Sequence, residues 1–288
     1  MLTLKNWLLT AAMLCLVIAP LQAQETNIPA GPKVSWTKGP ATASVGNLAE
    51  IKLPENYIFT GAKGSQTLLK AWGNPISGAE LGLLAPTSMV WVVVFEFDKS
   101  GYVKDNDKDK LDADAMLKSL KAGTVENNKE RKKMGSAPMN LIGWEQPPKY
   151  NPETHNLEWA MRYESEGSPI INYNTRLLGR KGVMEVSLIV DPDKLAGTMA
   201  DYQGLLANFD YKAGERYAEY RQGDQIAKYG LAALITGGAA VVAVKSGLLG
   251  YLLLFGKKLW FLIVAGVAAV ARFFKRLVNG EGRKPSAD

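Results

Sequence analysis

From Tyr229 to its last residue the chain carries eight lysines and arginines against two acidic residues, and the cations punctuate long apolar runs. Lipid excludes charge and anionic headgroups attract it, so this pattern is how a membrane anchor is written. The rest, Met1 to Lys228, holds 26 basic and 26 acidic residues and is neutral. The net charge of +6 therefore belongs to the tail alone. It points to a lipid bilayer as partner and gives no support to nucleic-acid binding.

The tail divides into Tyr229 to Val244, Ser246 to Gly256 and Leu259 to Ala271. Each run is shorter than the roughly 20 residues that span a bilayer comfortably. Lys245 and the pair Lys257-Lys258 interrupt them, and a lysine reaches the interface only from near the end of a span. Residues 229–277 are thus expected to form membrane-anchoring helices, with one crossing or as a hairpin around Lys257-Lys258, followed by a polar tail over 278–288. Gly237-Gly238, Ala239, Ala240 and Gly266 would let such helices pack closely or form an oligomer. At the other end, Lys5, the apolar stretch Trp7 to Ile18, Pro20 and Leu21-Gln22-Ala23 have the three-part layout of a signal peptide over residues 1–23. The two ends together place the chain in a bacterial inner membrane with its main domain in the periplasm. Cleavage after Ala23 removes Cys15, the only cysteine, and with it any disulfide, thiol nucleophile or cysteine metal ligand.

Residues 24–35 read as a linker and 36–220 as the extracytoplasmic domain. Ala41 to Val45 and Leu48 to Leu53 predict a hairpin turned at Gly46-Asn47, a pair that tolerates the positive φ of tight turns. Ser65 to Trp72 is a short helix with Ser65 as its expected cap. The glycine-rich stretch 73–83 lacks the lysine and spacing of a phosphate loop, and reads as loop then strand. Met89 to Phe97 is aromatic and β-branched without alternation, which predicts a central strand covered on both faces. Asp112 should cap a helix running to about Met134, packed through Met116, Leu117 and Leu120 and extended by Val125. Three strands follow as a meander over 156–190, then a helix over 192–207 with Asp191 as its cap. Strands and helices occur in blocks, so an α+β fold with a mainly antiparallel sheet and two or three packed helices is expected, followed by the C-terminal membrane helices.

The candidates for chemistry are few. His155 could act as a general base with Glu158, or with Glu153, as in an envelope hydrolase; the residues supply no serine elbow or cysteine for it to activate, so a turn histidine is the stronger reading. Glu158, Arg162, Glu164, Asn172, Asn174 and Arg176 are expected to share a polar sheet face that could bind an anionic or sugar ligand, or simply be solvated. Asp105, Asp107 and Asp109 suggest calcium, yet Lys110 and Met116 stand where an EF-hand loop needs glycine and glutamate. No cofactor is expected. Trp91 and Trp159 fall on faces expected to be buried, which favours core packing over a stacking surface.

Four stretches, Gly73-Asn74-Pro75 through Glu80-Leu81-Gly82, Gly101-Tyr102-Val103-Lys104-Asp105, Asn172 through Arg180, and Lys228-Tyr229-Gly230-Leu231-Ala232-Ala233, resemble an uncharacterised bacterial family, domain-of-unknown-function family 2167. The resemblance implies a membrane-anchored envelope protein and supplies no substrate, cofactor or catalytic residue. On these grounds the expected function is a noncatalytic binding or accessory component that meets other envelope proteins or a cell-wall ligand.

Overall fold

The computed structural model describes residues 32–236, apart from Gly73, Pro75 and Met134. The expected signal peptide, most of the linker and the tail from residue 237 lie outside the described residues. In chain order the strands are β1 (Thr37–Lys38), β2 (Ala41–Val45), β3 (Ala49–Leu53), β4 (Tyr57–Gly61), β5 (Glu80–Pro86), β6 (Val92–Asp98), β7 (Asn140–Asn151), β8 (Asn156–Ser165), β9 (Ser168–Leu178), β10 (Val183–Val190) and β11 (Phe209–Tyr211). The helices are α1 (Ala62–Ala71), α2 (Ala113–Lys133), α3 (Leu195–Ala207) and α4 (Leu231–Thr236). The fold is α+β with antiparallel sheets, as expected.

Eight strands form one antiparallel sheet in the order β1-β4-β5-β6-β10-β9-β8-β7, and β11-β3-β2 form a second. The aromatic and β-branched run of β6 takes a central place, because no face of it could meet water without exposing apolar surface. Gly46 adopts φ +58 in the turn between β2 and β3, and Val45 pairs with Ala49. One face of the large sheet presents Val93, Phe95, Met184, Val186, Leu188, Ile171 and Tyr173, which pack under Val45, Ile51 and Leu53 of the small sheet and Tyr202 and Leu205 of α3. The other face carries two separate apolar clusters. Leu68 and Leu69 of α1 sit with Ile58, Leu83, Val92, Val94 and Ile189, while Met116 of α2 and Leu231, Leu234 and Ile235 of α4 sit with Leu157, Trp159, Leu178 and Val183.

Four local expectations need correction. Helix α1 begins at Ala62 with Gly61 as its cap, and Ser65 lies inside it, its hydroxyl donating to the Ala62 carbonyl at 2.9 Å. Asp191 caps nothing with its side chain; it pairs with Lys194 at 2.7 Å across a short 3-10 turn that precedes α3. Val125 is 66 % exposed and adds nothing to the packed face of α2, whose start is nonetheless capped by Asp112 through the Ala115 N–H at 2.9 Å. Finally, the run expected to enter the bilayer from Tyr229 begins as domain structure, since Leu231, Ala233, Leu234 and Ile235 are at most 3 % exposed in the core. No helix among the described residues is long and apolar enough to cross a membrane.

Candidate functional site

Asn172, Asn174 and Arg176 alternate along β9 and so share one face, but that face is not solvated: they are 6 %, 6 % and 5 % exposed. Nor do they share it with the polar residues of β8. Register pairs Met161 with Asn172, Trp159 with Asn174 and Leu157 with Arg176, whereas Glu158 lies opposite Thr175, Arg162 opposite Ile171 and Glu164 opposite Pro169. Directly opposed residues point the same way, so the expected single polar face is split across both sides of the sheet. The phase is set by the two-residue turn Glu166-Gly167, with φ +50 and +73, which pairs Ser165 with Ser168.

The buried polar residues of β9 continue into neighbouring strands. Arg176 pairs with Glu185 of β10, which pairs with Glu96 of β6, which pairs with Glu80 of β5. A row of one guanidinium and three carboxylates therefore crosses four strands on the face between the two apolar clusters. Arg176 Nη2 stands 3.3 Å from Glu185 Oε2, and its guanidinium carbon lies 4.8 Å from the centre of the Trp159 ring. Glu80 is held by the Ser77 and Gly78 N–H groups at 2.6 and 2.9 Å, by the Ser77 hydroxyl and by Gln66. The same Ser77 hydroxyl, with one proton to give, also lies 2.9 Å from Glu96 Oε1. Burial, followed by the Glu185 carboxylate, pushes the Glu96 carboxyl up to about 8, so it is mostly protonated at neutral pH. Burial also raises Glu185, against the opposing pull of Arg176. Ser187 completes the band, with its hydroxyl 3.3 Å from Asn174 Oδ1. Among the described residues four polar atoms there have no hydrogen-bond partner: Arg176 Nε and Nη1, Trp159 Nε1 and Asn172 Oδ1. Sequence reasoning found Asn172, Asn174 and Arg176 and missed the three glutamates; the available signal was a lone carboxylate inside an apolar strand, as in Val92-Val93-Val94-Phe95-Glu96-Phe97.

His155 and Glu158 are not brought together. Glu158 accepts from the Tyr173 hydroxyl at 2.9 Å, while His155 Nδ1 lies 3.1 Å from the Tyr150 hydroxyl. Tyr150 gives its proton to Asp105 Oδ2 at 2.8 Å, so its oxygen accepts from His155 and the neutral ring carries its proton on Nδ1, an assignment made from this geometry. The His155 ring also rests on Tyr217, which stacks on Tyr102 at 4.4 Å between centres. An open cleft of about 300 Å³ lined by Lys108, Asp109, Leu111, Pro148, Tyr150 and Pro152 adjoins this chain of groups. The aspartates considered for calcium diverge. Asp105 serves Tyr150, Asp107 accepts the N–H groups of Leu231 and Ala232 at 3.1 and 3.5 Å, and among the described residues no group of three acidic, histidine or cysteine side chains is set to hold a metal ion. Arg162 binds Glu145 at 2.7 Å near the surface, and Glu164 is exposed.

Residues 212–236 run along the edge of this region and are tied down repeatedly. Arg180 grips Asp224 through two hydrogen bonds of 2.7 and 2.8 Å, which hold the Asp224 carboxyl down to about 2. Tyr217 donates to the Val103 carbonyl at 2.9 Å, the backbone of Tyr102 bonds to Gln225 and Ala227, and Tyr229 donates to Asp98. A Cβ at Gly230 would meet Asp107 Oδ2 at 2.4 Å, so the glycine gives the Asp107 carboxylate room beside the start of α4.

Residues 37–268 match the model of a protein family described as "Protein of unknown function (DUF2167)", and the chain belongs to that family. No curated protein matches it. Among solved structures, cyanobacterial PsbP from Synechocystis sp. PCC 6803 is similar over 62 % of this chain and 94 % of its own, at 11 % identity and a TM-score of 0.34. The Ran-binding protein Mog1p of Saccharomyces cerevisiae is similar over 66 % of this chain and 99 % of its own, at 8 % identity and a TM-score of 0.32. Likeness at that level carries no information about activity.

Proposed function

We propose that this chain is a noncatalytic component of a bacterial cell envelope, held on the outer face of the inner membrane by its apolar, cationic C-terminal segment and presenting its sheet domain to a partner protein or a cell-wall or lipid ligand. The observation that supports this best is the fastening of residues 212–236, which lead directly into that segment, by Arg180–Asp224, Tyr217–Val103, Tyr229–Asp98 and Asp107–Leu231. A domain locked to the root of its anchor has a fixed attachment to the bilayer, which suits a scaffold or receptor. The hydrolase alternative has less behind it, because His155 is bonded to a tyrosine rather than to a nucleophile or a carboxylate.

Alkaline carbonate extraction of cell membranes tests the anchor. The full chain is expected in the pellet, and recovery in the soluble fraction would remove the membrane part of the proposal. His155→Ala tests the noncatalytic part: it should leave cellular function intact, and loss of function with unchanged stability and unchanged partner capture would overturn it.

A further inference from the structure

We infer that the cleft between strand β7 and the turn at Lys108–Lys110 binds an uncharged glycan, whose pyranose ring lies on Pro148, Tyr150 and Pro152 while its hydroxyls meet Lys108 and Asp109. This deepens the envelope reading above by naming the cell-wall ligand, and it rests on that reading for the source of the glycan. The cleft holds about 300 Å³, at the lower end of the roughly 300–1,000 Å³ of small-ligand sites. One wall is made of rings. Pro148 and Tyr150 alternate with Lys149 along β7 and so present the same side of the strand, and Pro152 follows in the turn beyond Asn151. From Pro148 to Pro152 that wall extends at most about 14 Å.

The wall is held from behind. The Tyr150 hydroxyl donates to Asp105 at 2.8 Å and lies 3.1 Å from His155 Nδ1. The His155 ring rests on Tyr217, and Tyr217 on Tyr102, each at 4.4 Å between ring centres. With its hydroxyl engaged, Tyr150 has its ring to offer a ligand, and the two prolines have no rotamers to lose. A preformed wall lowers the cost of ordering the site on binding. The C–H face of a pyranose is apolar and broad, which suits a row of rings.

The opposite wall supplies polar groups. Of the aspartates at 105, 107, 109 and 112, three are engaged within the domain: Asp105 by Tyr150, Asp107 by the start of α4 and Asp112 by the start of α2. Asp109 lines the cleft instead. Neither it nor Lys108 has a side-chain ion pair or hydrogen bond among the described residues, and both are exposed. Their backbone is nonetheless fixed, with the Lys108 N–H on the Asp105 carbonyl at 3.2 Å and the Lys110 N–H on the Asp107 carbonyl at 2.9 Å. A carboxylate only accepts hydrogen bonds and an ammonium only donates them, so a ligand group that serves both must accept and donate. A sugar hydroxyl does both. The two charges also cancel at the rim, which favours an uncharged ligand over an anion.

Titration of the full chain in a sugar-free detergent tests this, since glycoside detergents would compete for the site. Saturation-transfer NMR with cellobiose and with N,N′-diacetylchitobiose should show transfer to ring C–H protons of at least one of them, with a millimolar dissociation constant. Asp109→Asn and Pro152→Ser, both at exposed positions, should each weaken that binding at least five-fold and leave the urea midpoint unchanged. Lys108→Ala repeats the measurement should either variant lose stability. No transfer to either disaccharide, binding that survives these substitutions, or tighter binding of alanylalanine or inorganic phosphate than of both disaccharides would overturn the inference. Carbonate extraction reads the anchor separately, so glycan binding can fail while the envelope reading stands.

Discussion

The two faces of the eight-stranded sheet are buried to a similar degree by different means. One face is apolar from Phe95 through Val186 and Leu188 to Ile171, and is closed by the small sheet and α3. The other has an apolar cluster under α1 and a second under α2 and α4, and between them the row Glu80, Glu96, Glu185 and Arg176 with Asn172, Asn174 and Ser187 beside it. Hydrophobic burial is non-directional, so the first face tolerates any occupant of suitable shape. Buried charge is directional and costly when unpaired, so the second face specifies what may cover it. The first face holds the domain together by buried apolar area; the second does so only while its charges are matched.

The largest difference between the faces should be in their response to pH. Glu96 titrates in the folded domain near 8, against an ordinary carboxyl value near 4.5. Between those values the folded state keeps a proton that the unfolded chain has lost, so its contribution is complete below about pH 4.5 and is lost as pH rises through 8. The effect is on the order of 4 kcal/mol across the window. Urea unfolding at pH 5 and pH 8.5 should show it, and Glu96→Gln should flatten the dependence. An unchanged slope in that variant would mean the band does not govern stability in this range.

Next in size is Arg176→Met, which leaves Glu185 beside Glu96 without its cation and should cost about 3–4 kcal/mol at pH 7 by chemical denaturation. Adding Glu185→Gln should recover most of the loss, because the penalty lies in the unpaired charge. Leu188→Ala, at a fully buried position on the apolar face, should cost about 3 kcal/mol through lost burial and a residual cavity. There, no removal of a neighbouring polar group can compensate. Recovery in the first case and its absence in the second would sharpen the contrast; equal behaviour would break it.

Much of the frame around the polar band was readable in advance. The hairpin over 41–53, the central strand β6 and the cap at Asp112 follow from turn residues, β-branched content and a side-chain acceptor. The polar band was not, and the reason is specific. The alternation within β8 and within β9 was read correctly, but alternation does not say how two strands are phased, and only the turn at Glu166-Gly167 fixes that. Glu96 and Glu185 were hidden differently. A single carboxylate in an apolar strand gives no periodic signal, and its meaning appears only when β6 and β10, about 90 residues apart in the chain, are paired. The end of the domain was misplaced because five apolar residues at 231–235 look alike whether they enter lipid or a protein core.

The smallest expected effect sits at that end. Asp107 accepts the backbone N–H groups of Leu231 and Ala232, which begin α4, and the absence of a side chain at Gly230 makes room for it. The first N–H groups of a helix have no partner within it, so a carboxylate there acts as a cap and favours the helix start electrostatically. Asp107→Ala should therefore cost about 1 kcal/mol of global stability. Its local consequence should be larger than its global one, because α4 is six residues long and owes much of its order to this contact and to the burial of Leu231 and Leu234. Hydrogen exchange on the full chain in detergent should show faster exchange at residues 231–235, with β10 unchanged. If α4 keeps its protection without the cap, the junction is held by apolar packing alone and belongs with the first face of the sheet; if exchange also quickens at Glu185 and Ser187, the last helix and the polar band open as one unit.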